Sequence, residues 1–183
     1  STDTGFSIKT KVIAGAGDQQ CAALGVGVVK PGRIKCTTGT GSFMLAYLDH
    51  PTFDKQKRVL CSCAALPNTW VQEASIFTTG AALRWFRDNV GMAECIQAFI
   101  DRSHGQEIDP YDIMTERAAA SPPGSKGLLF IPHMIGAGAP HWNAFARGVL
   151  FGLALGHKTQ DLYRAVLEGV AFEIKKNVQI FQS

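Results

Sequence analysis

Gly15-Ala16-Gly17-Asp18-Gln19-Gln20 and, further along, Thr38-Gly39-Thr40-Gly41-Ser42-Phe43 are the two stretches on which the reading of this chain turns. The first sets a lone carboxylate after a glycine-rich turn. A carboxylate within hydrogen-bond reach of a hydroxyl can orient it and take its proton. The second sets hydroxyls among glycines, which let successive backbone N–H groups converge on an anion while threonine adds donors. Together they point to phosphoryl transfer onto an alcohol, where positioning and charge stabilisation carry most of the catalysis. The bland alternatives are a helix N-cap for Asp18 and an ordinary hairpin turn for the glycines. No G-x-x-x-x-G-K-[ST] occurs in the chain, so the turn is not a Walker A loop.

Working outward, the chain reads as mixed α/β. Residues 11–14 suit a short buried strand and residues 19–29 a helix of small residues stopped by Pro31-Gly32. Residues 34–38, 43–48 and 59–64 suit strands. Over residues 75–89 the pattern turns helical, with Ile76, Leu83 and Phe86 at helical spacing. Helices are expected over 92–101 and 110–120, the second behind the cap and first-turn pair Asp109-Pro110. The break Ser121-Pro122-Pro123-Gly124-Ser125-Lys126-Gly127 reads as a loop inside the domain, because an apolar strand over 128–131 follows at once. A glycine-rich loop over 132–142, a strand over 148–155 and a long amphipathic helix over 161–181 complete the pass. The helical pattern has no terminal cap, so the natural polypeptide is expected to continue.

At 183 residues the chain has room for one domain with a proper core. A formal charge of +3, with Lys and Arg scattered, argues against nucleic acid or an anionic membrane as the main partner. No apolar run is long enough to span a bilayer and no signal peptide opens the chain, so a cytoplasmic protein is expected. The five cysteines lack C-x-x-C spacing and give neither a disulfide framework nor a zinc signature. Cys61 and Cys63, on one face of a strand, read as small hydrophobes. Thr78-Thr79-Gly80 opens a helix whose N-terminus offers an anion site, with Arg84 one turn in. Trp85 and Phe86 read as core. His133 and His141 share a loop, but the sequence offers no obvious third ligand, and no metal-ligating residue is assigned.

Taken together these segments resemble the FGGY family of carbohydrate kinases, which includes glycerol kinases and kinases of xylulose and other pentuloses. Gly148-Val149-Leu150-Phe151-Gly152-Leu153 and, seven residues on, Asp161-Leu162-Tyr163-Arg164-Ala165-Val166-Leu167-Glu168 fit the family's C-terminal signature. Gly17-Asp18-Gln19-Gln20 is similar to the motif holding the family's catalytic aspartate. Gly39-Thr40-Gly41 matches its phosphate-binding turn, and Thr79-Gly80 with Arg84-Trp85-Phe86-Arg87-Asp88 its nucleotide-contacting helix, although glycerol kinases carry Gln where Arg84 stands.

The resemblance implies an actin-like, ribonuclease-H-like ATPase domain, with residues 1–183 forming part of the C-terminal domain of a two-domain kinase. The N-terminal domain and the last part of the C-terminal domain are not represented, so activity is expected only in the full-length protein. It implies ATP and Mg2+, with Asp18 as catalytic base. Asp18, Gln19 and Phe43 would contact a small sugar or polyol, and Gly39, Thr40, Gly41, Gly80 and Arg84 the nucleotide. Gln19-Gln20 and the run from Thr40 to Leu45 resemble glycerol kinases. Gln72-Glu73-Ala74-Ser75-Ile76-Phe77 and the segment after Arg84 look closer to the xylulose branch, to which the reading leans. The alternatives are a glycerol kinase and, in a different class, a non-catalytic actin-like nucleotide-binding module. The expected partners are the small-molecule substrate and neither nucleic acid nor membrane; a homodimer is left open. A dinucleotide-dependent oxidoreductase is set aside for want of G-x-G-x-x-G.

Overall fold

The alternating Ile34–Thr38 (β1) and the almost continuously apolar Ser42–Leu48 (β2), joined by the glycine turn, fold into a hairpin of the main sheet. The computed structural model describes residues 3–13 and 15–183. Leu60–Cys63 (β3) and Trp70–Ile76 (β4) complete a four-stranded sheet of order β1-β2-β4-β3, every pair antiparallel.

Each face of this sheet carries one helix. Opposed residues of antiparallel strands share a face, so the register Lys35↔Leu45↔Glu73 and Thr37↔Phe43↔Ser75 defines one of them. There Asp18–Gly25 (α1) packs, its Ala23 meeting Leu45 and Val71. The opposite face presents Met44, Ala74 and Ile76 to Ile174 and Val178 of the long helix Thr159–Phe181 (α5). Gly80–Asn89 (α2), Met92–Ser103 (α3) and Pro110–Ala119 (α4) connect the sheet to Leu129–Ile131 (β5) and Val149–Phe151 (β6). The latter two form a separate antiparallel pair. A second core gathers Phe86, Met114, Leu128, Phe130, Tyr163 and Val166, with the rings of Phe86 and Phe130 edge to face at 5.4 Å.

Helix α5 crosses β5 at Gly169, where a Cβ would stand 2.2 Å from the Phe130 carbonyl oxygen. It is anchored at its start by Asp161, fully buried, which accepts from Ser121 Oγ at 2.7 Å, Lys126 Nζ at 3.1 Å and the Lys158 amide at 2.8 Å. Burial alone would raise this carboxyl. The three donors outweigh it and hold the group down to about 2. The expected Asp109 cap forms, its carboxylate accepting from the Tyr111 amide while the Asp109 amide donates to the Asp112 carboxylate.

Several expectations are corrected. Residues 11–13 form no strand and Ala14 lies outside the described residues, so no described strand runs into Asp18. Ser75 and Ile76 end strand β4; the helix expected from residue 75 begins at Gly80. Residues 26–29 leave α1, and the strand expected over 148–155 is confined to Val149–Phe151. Cys21, Cys36 and Cys63 are exposed and Cys61 is half-buried, so the thiols do not serve as core hydrophobes. Phe86 is core, but Trp85 is 46% exposed.

Candidate active site

The turn between β1 and β2 is built against the start of α2. The amides of Thr79, Gly80 and Ala81 donate to the carbonyls of Thr40, Gly39 and Thr40, each at 3.0 Å. Thr38 Oγ1 and Ser42 Oγ lie 3.0 Å apart, and Ser42 Oγ donates to Thr79 Oγ1 at 3.1 Å beneath the turn. The fit depends on two missing side chains. A Cβ on Gly80 would stand 2.3 Å from the Gly39 carbonyl oxygen, and one on Gly41 2.6 Å from that of Ile76.

This packing revises how the helix start could meet an anion. Its first amides are committed to the turn's carbonyls, so α2 acts as a buttress rather than as a free N-terminus. The turn's own amides are different. Gly39 donates to the Gly41 carbonyl at 2.8 Å, while among the described residues none accepts from the Thr40 or Gly41 amide. Gly39, Thr40, Gly80, Leu83, Arg84 and Tyr111 line a cavity of about 240 Å³, placing four of the five expected nucleotide residues on one concavity. Arg84 is exposed on its rim.

The residues expected to meet the acceptor stand on the α1 face of the sheet, and none of them lines the turn's cavity. Asp18 is the first helical residue, not the cap; Gly17 occupies the cap position without a side-chain bond. The Asp18 carboxylate is exposed and accepts from the Gln19 amide at 2.8 Å. Gln19 Oε1 accepts from the ammonium of Lys35, a β1 residue that sequence reasoning passed over. Lys35 is buried. Burial pushes its ammonium below the ordinary lysine range, opposed by the charges of Asp18, Cys36 and Glu73. Lys35 shares a face with Thr37 and Phe43, but that follows from the strand register, which the sequence alone does not show. Phe43, half-buried, sits on that face opposite Thr37, between the Lys35 end and the turn. Strand β1 therefore connects the Asp18–Gln19–Lys35 group to the glycine turn.

A larger cavity of about 460 Å³ lies elsewhere, lined by Trp85, Phe86, Val90, Phe130, Met134 and Leu150 among others. It is apolar and holds none of the expected site residues. Among the described residues no helix is long and apolar enough to cross a membrane.

Comparison with known proteins identifies the family. Residues 34–183 match the C-terminal domain of the FGGY family of carbohydrate kinases. A gluconokinase of Bacillus subtilis is 37% identical over 170 residues, covering 93% of this chain and 32% of the relative. A glycerol kinase of Gloeobacter violaceus is 38% identical over 163 residues, covering 87% and 30%. Among solved structures, a xylulose kinase from Brucella ovis superposes with a TM-score of 0.75 at 32% identity, over 91% of this chain and 31% of that one. A xylulose kinase from Rhodospirillum rubrum, at 24% identity, shares the fold with a TM-score of 0.79 over 98% and 33%. The chain thus spans about a third of the length of the relatives it matches. It belongs to the FGGY family of carbohydrate kinases, of which it carries C-terminal-domain sequence with the actin-like fold.

Proposed function

We propose that the protein carrying this chain transfers the γ-phosphoryl group of ATP to a hydroxyl of a small sugar, with a pentulose such as xylulose as the leading acceptor. The observation that carries this reading is the glycine turn. Two unclaimed amides, Thr40 and Gly41, stand in or beside a cavity edged by Arg84, and the α2 buttress holds them still. Preorganised amides and a cation suit the spread charge of a transferring phosphoryl group. Gly80 contributes bare backbone surface that lets the turn seat.

Asp18 acts as the base. As the acceptor oxygen bonds to the γ-phosphorus and the bond to the ADP oxygen breaks, the acceptor's proton passes to the Asp18 carboxylate. Gln19, its amide oxygen held by Lys35, directs its NH2 toward the acceptor's hydroxyls, and Phe43 packs against the carbon chain. Mg2+ would arrive on the phosphates and neutralise charge there. The turn itself offers amides and hydroxyls, donors suited to the anion rather than to the cation. A glycerol acceptor is the next reading, from the Gln19-Gln20 pair. The buried Lys35 ammonium favours including an acid sugar such as gluconate, since it is a cation beside Asp18.

Asp18→Asn in the whole kinase tests the assignment. The expected loss in kcat is about 10²- to 10⁴-fold, the usual worth of a positioned base, with ATP affinity nearly unchanged. Activity within a few-fold of the parent sinks it. Coupled ADP release with xylulose, glycerol and gluconate names the acceptor. ATP binding with silence across such a panel favours the non-catalytic module instead.

A further inference from the structure

His133 and His141 share a loop and Glu173 is remote from both in sequence, yet one ligand atom from each lies within 4.8 Å of the other two. His133 follows Pro132 just after β5, His141 follows Pro140 in the same loop, and Glu173 projects from the middle of α5. His133 Nε2 stands 3.9 Å from Glu173 Oε1, and the two imidazoles meet edge to face with centroids 5.9 Å apart. Glu173 Oε2 is buried and has no hydrogen-bond partner. An unpartnered buried carboxylate oxygen is costly and demands a cation or a donor.

The backbone around the three is already fixed. The Ala139 amide donates to the Ser75 carbonyl at 2.9 Å, the Ala139 carbonyl accepts from Asn177 Nδ2 at 3.3 Å, and the His141 amide donates to Gly138 at 2.9 Å. Lys176, one turn along α5 from Glu173, is the cation now nearest. Its Nζ lies 2.6 Å from His141 Nε2 and 3.9 Å from Glu173 Oε1. His141 Nε2, the ring nitrogen facing this ammonium, is an atom that a metal ion can take in the ammonium's place.

We propose that His133, His141 and Glu173 form a binding site for a divalent transition-metal ion of the zinc class, with water in the fourth position and Lys176 as the cation the metal displaces. Two imidazole nitrogens and one carboxylate oxygen are a known three-ligand set for zinc. With bonds of about 2.0–2.2 Å, tetrahedral ligand atoms stand roughly 3.3–3.5 Å apart. The ligand atoms now lie within 4.8 Å of one another, so binding must draw them in by up to about 1.3 Å. The bound ion fastens the loop over residues 132–142 to α5. It takes no part in phosphoryl transfer and does not depend on the reading of Asp18.

The test is titration of metal-free protein with Co2+ and then Zn2+, read by visible absorption and by thermal unfolding. The expected result is one equivalent of Co2+ with the intense bands of a four-coordinate ion, displaced by Zn2+, and a raised Tm. Glu173→Gln and His133→Ala weaken binding by roughly tenfold or more, as even outer-shell losses do. Lys176→Met, at a side chain 42% exposed, keeps the fold and tightens binding. It decides the matter if a ligand variant fails to fold. Absence of stoichiometric binding in both the parent and Lys176→Met overturns the proposal. So does a weak six-coordinate spectrum, or affinity unchanged in folded Glu173→Gln.

Discussion

Replacing Gly80 by alanine puts the coupling between α2 and the glycine turn to a quantitative test. A Cβ there would stand 2.3 Å from the Gly39 carbonyl oxygen, where ordinary contact begins near 3.4 Å, so the turn must retreat by about 1 Å. That retreat stretches three hydrogen bonds now at 3.0 Å, from Thr79, Gly80 and Ala81, beyond useful length. At about 1 kcal/mol each they represent about 3 kcal/mol. The better helix propensity of alanine returns at most about 1 kcal/mol. The net expectation is a loss of about 2 kcal/mol in urea unfolding. ATP affinity falls at least about tenfold as well, because the Thr40 and Gly41 amides move with the turn. Gly39→Ala is the control: a Cβ at residue 39 meets nothing within 4 Å and its φ is not positive, so stability changes by no more than about 0.5 kcal/mol. An unaltered unfolding midpoint in Gly80→Ala, or a larger loss in Gly39→Ala than in Gly80→Ala, refutes the buttress.

Lys35→Met removes the charged donor to Gln19 Oε1 and is expected to raise KM for the acceptor about tenfold, with ATP affinity kept; equal losses in both count against a role in acceptor binding. Asp161 sits in the folded protein well below its ordinary value of 3.8, at about 2. Its contribution to stability is therefore full above about pH 4 and lost as pH falls toward 2. Acid titration of stability should show a shallower slope in that window for Asp161→Asn, and an identical slope counts against the anchoring of α5. Gly169→Ala sets a Cβ 2.2 Å from the Phe130 carbonyl oxygen and should destabilise by about 1–3 kcal/mol despite alanine's helix propensity, measured by thermal unfolding.

The elements legible in the sequence were those whose pattern is local. The hairpin β1–β2 has its glycine turn, α4 its Asp109-Pro110 start, and α5 a long amphipathic run. Strand β4 was not legible as such. Gln72-Glu73-Ala74 suit a helix, and Ile76 falls at helical spacing with Leu83, but pairing with β2 on one edge and β3 on the other overrides that preference. The site divides in the same way. Asp18 and the turn could be picked out as candidates from residue types, while their roles came with the family resemblance. The close approach of Gly80 to Gly39, the pairing of Lys35 with Gln19 and the meeting of Glu173 with two loop histidines are contacts between distant segments, which no local window contains.

The antiparallel register also bears on the distance between the proposed base and the proposed phosphate site. Lys35, which fixes Gln19 next to Asp18, and Gly39, where the turn begins, lie on one short run of extended chain, so their Cα atoms are about 13 Å apart. A strand bonded along its length to β2 cannot easily shorten or lengthen. Phe43, opposite Thr37, falls between the two points and on the Lys35 face, where an acceptor's carbon chain would lie. One strand can thus set the span that acceptor and phosphoryl group must bridge. Changes of acceptor preference are then to be sought in what fills that span, at positions 19, 35 and 43. The glycine turn, committed to α2 through backbone atoms, can remain the same whichever hydroxyl is presented.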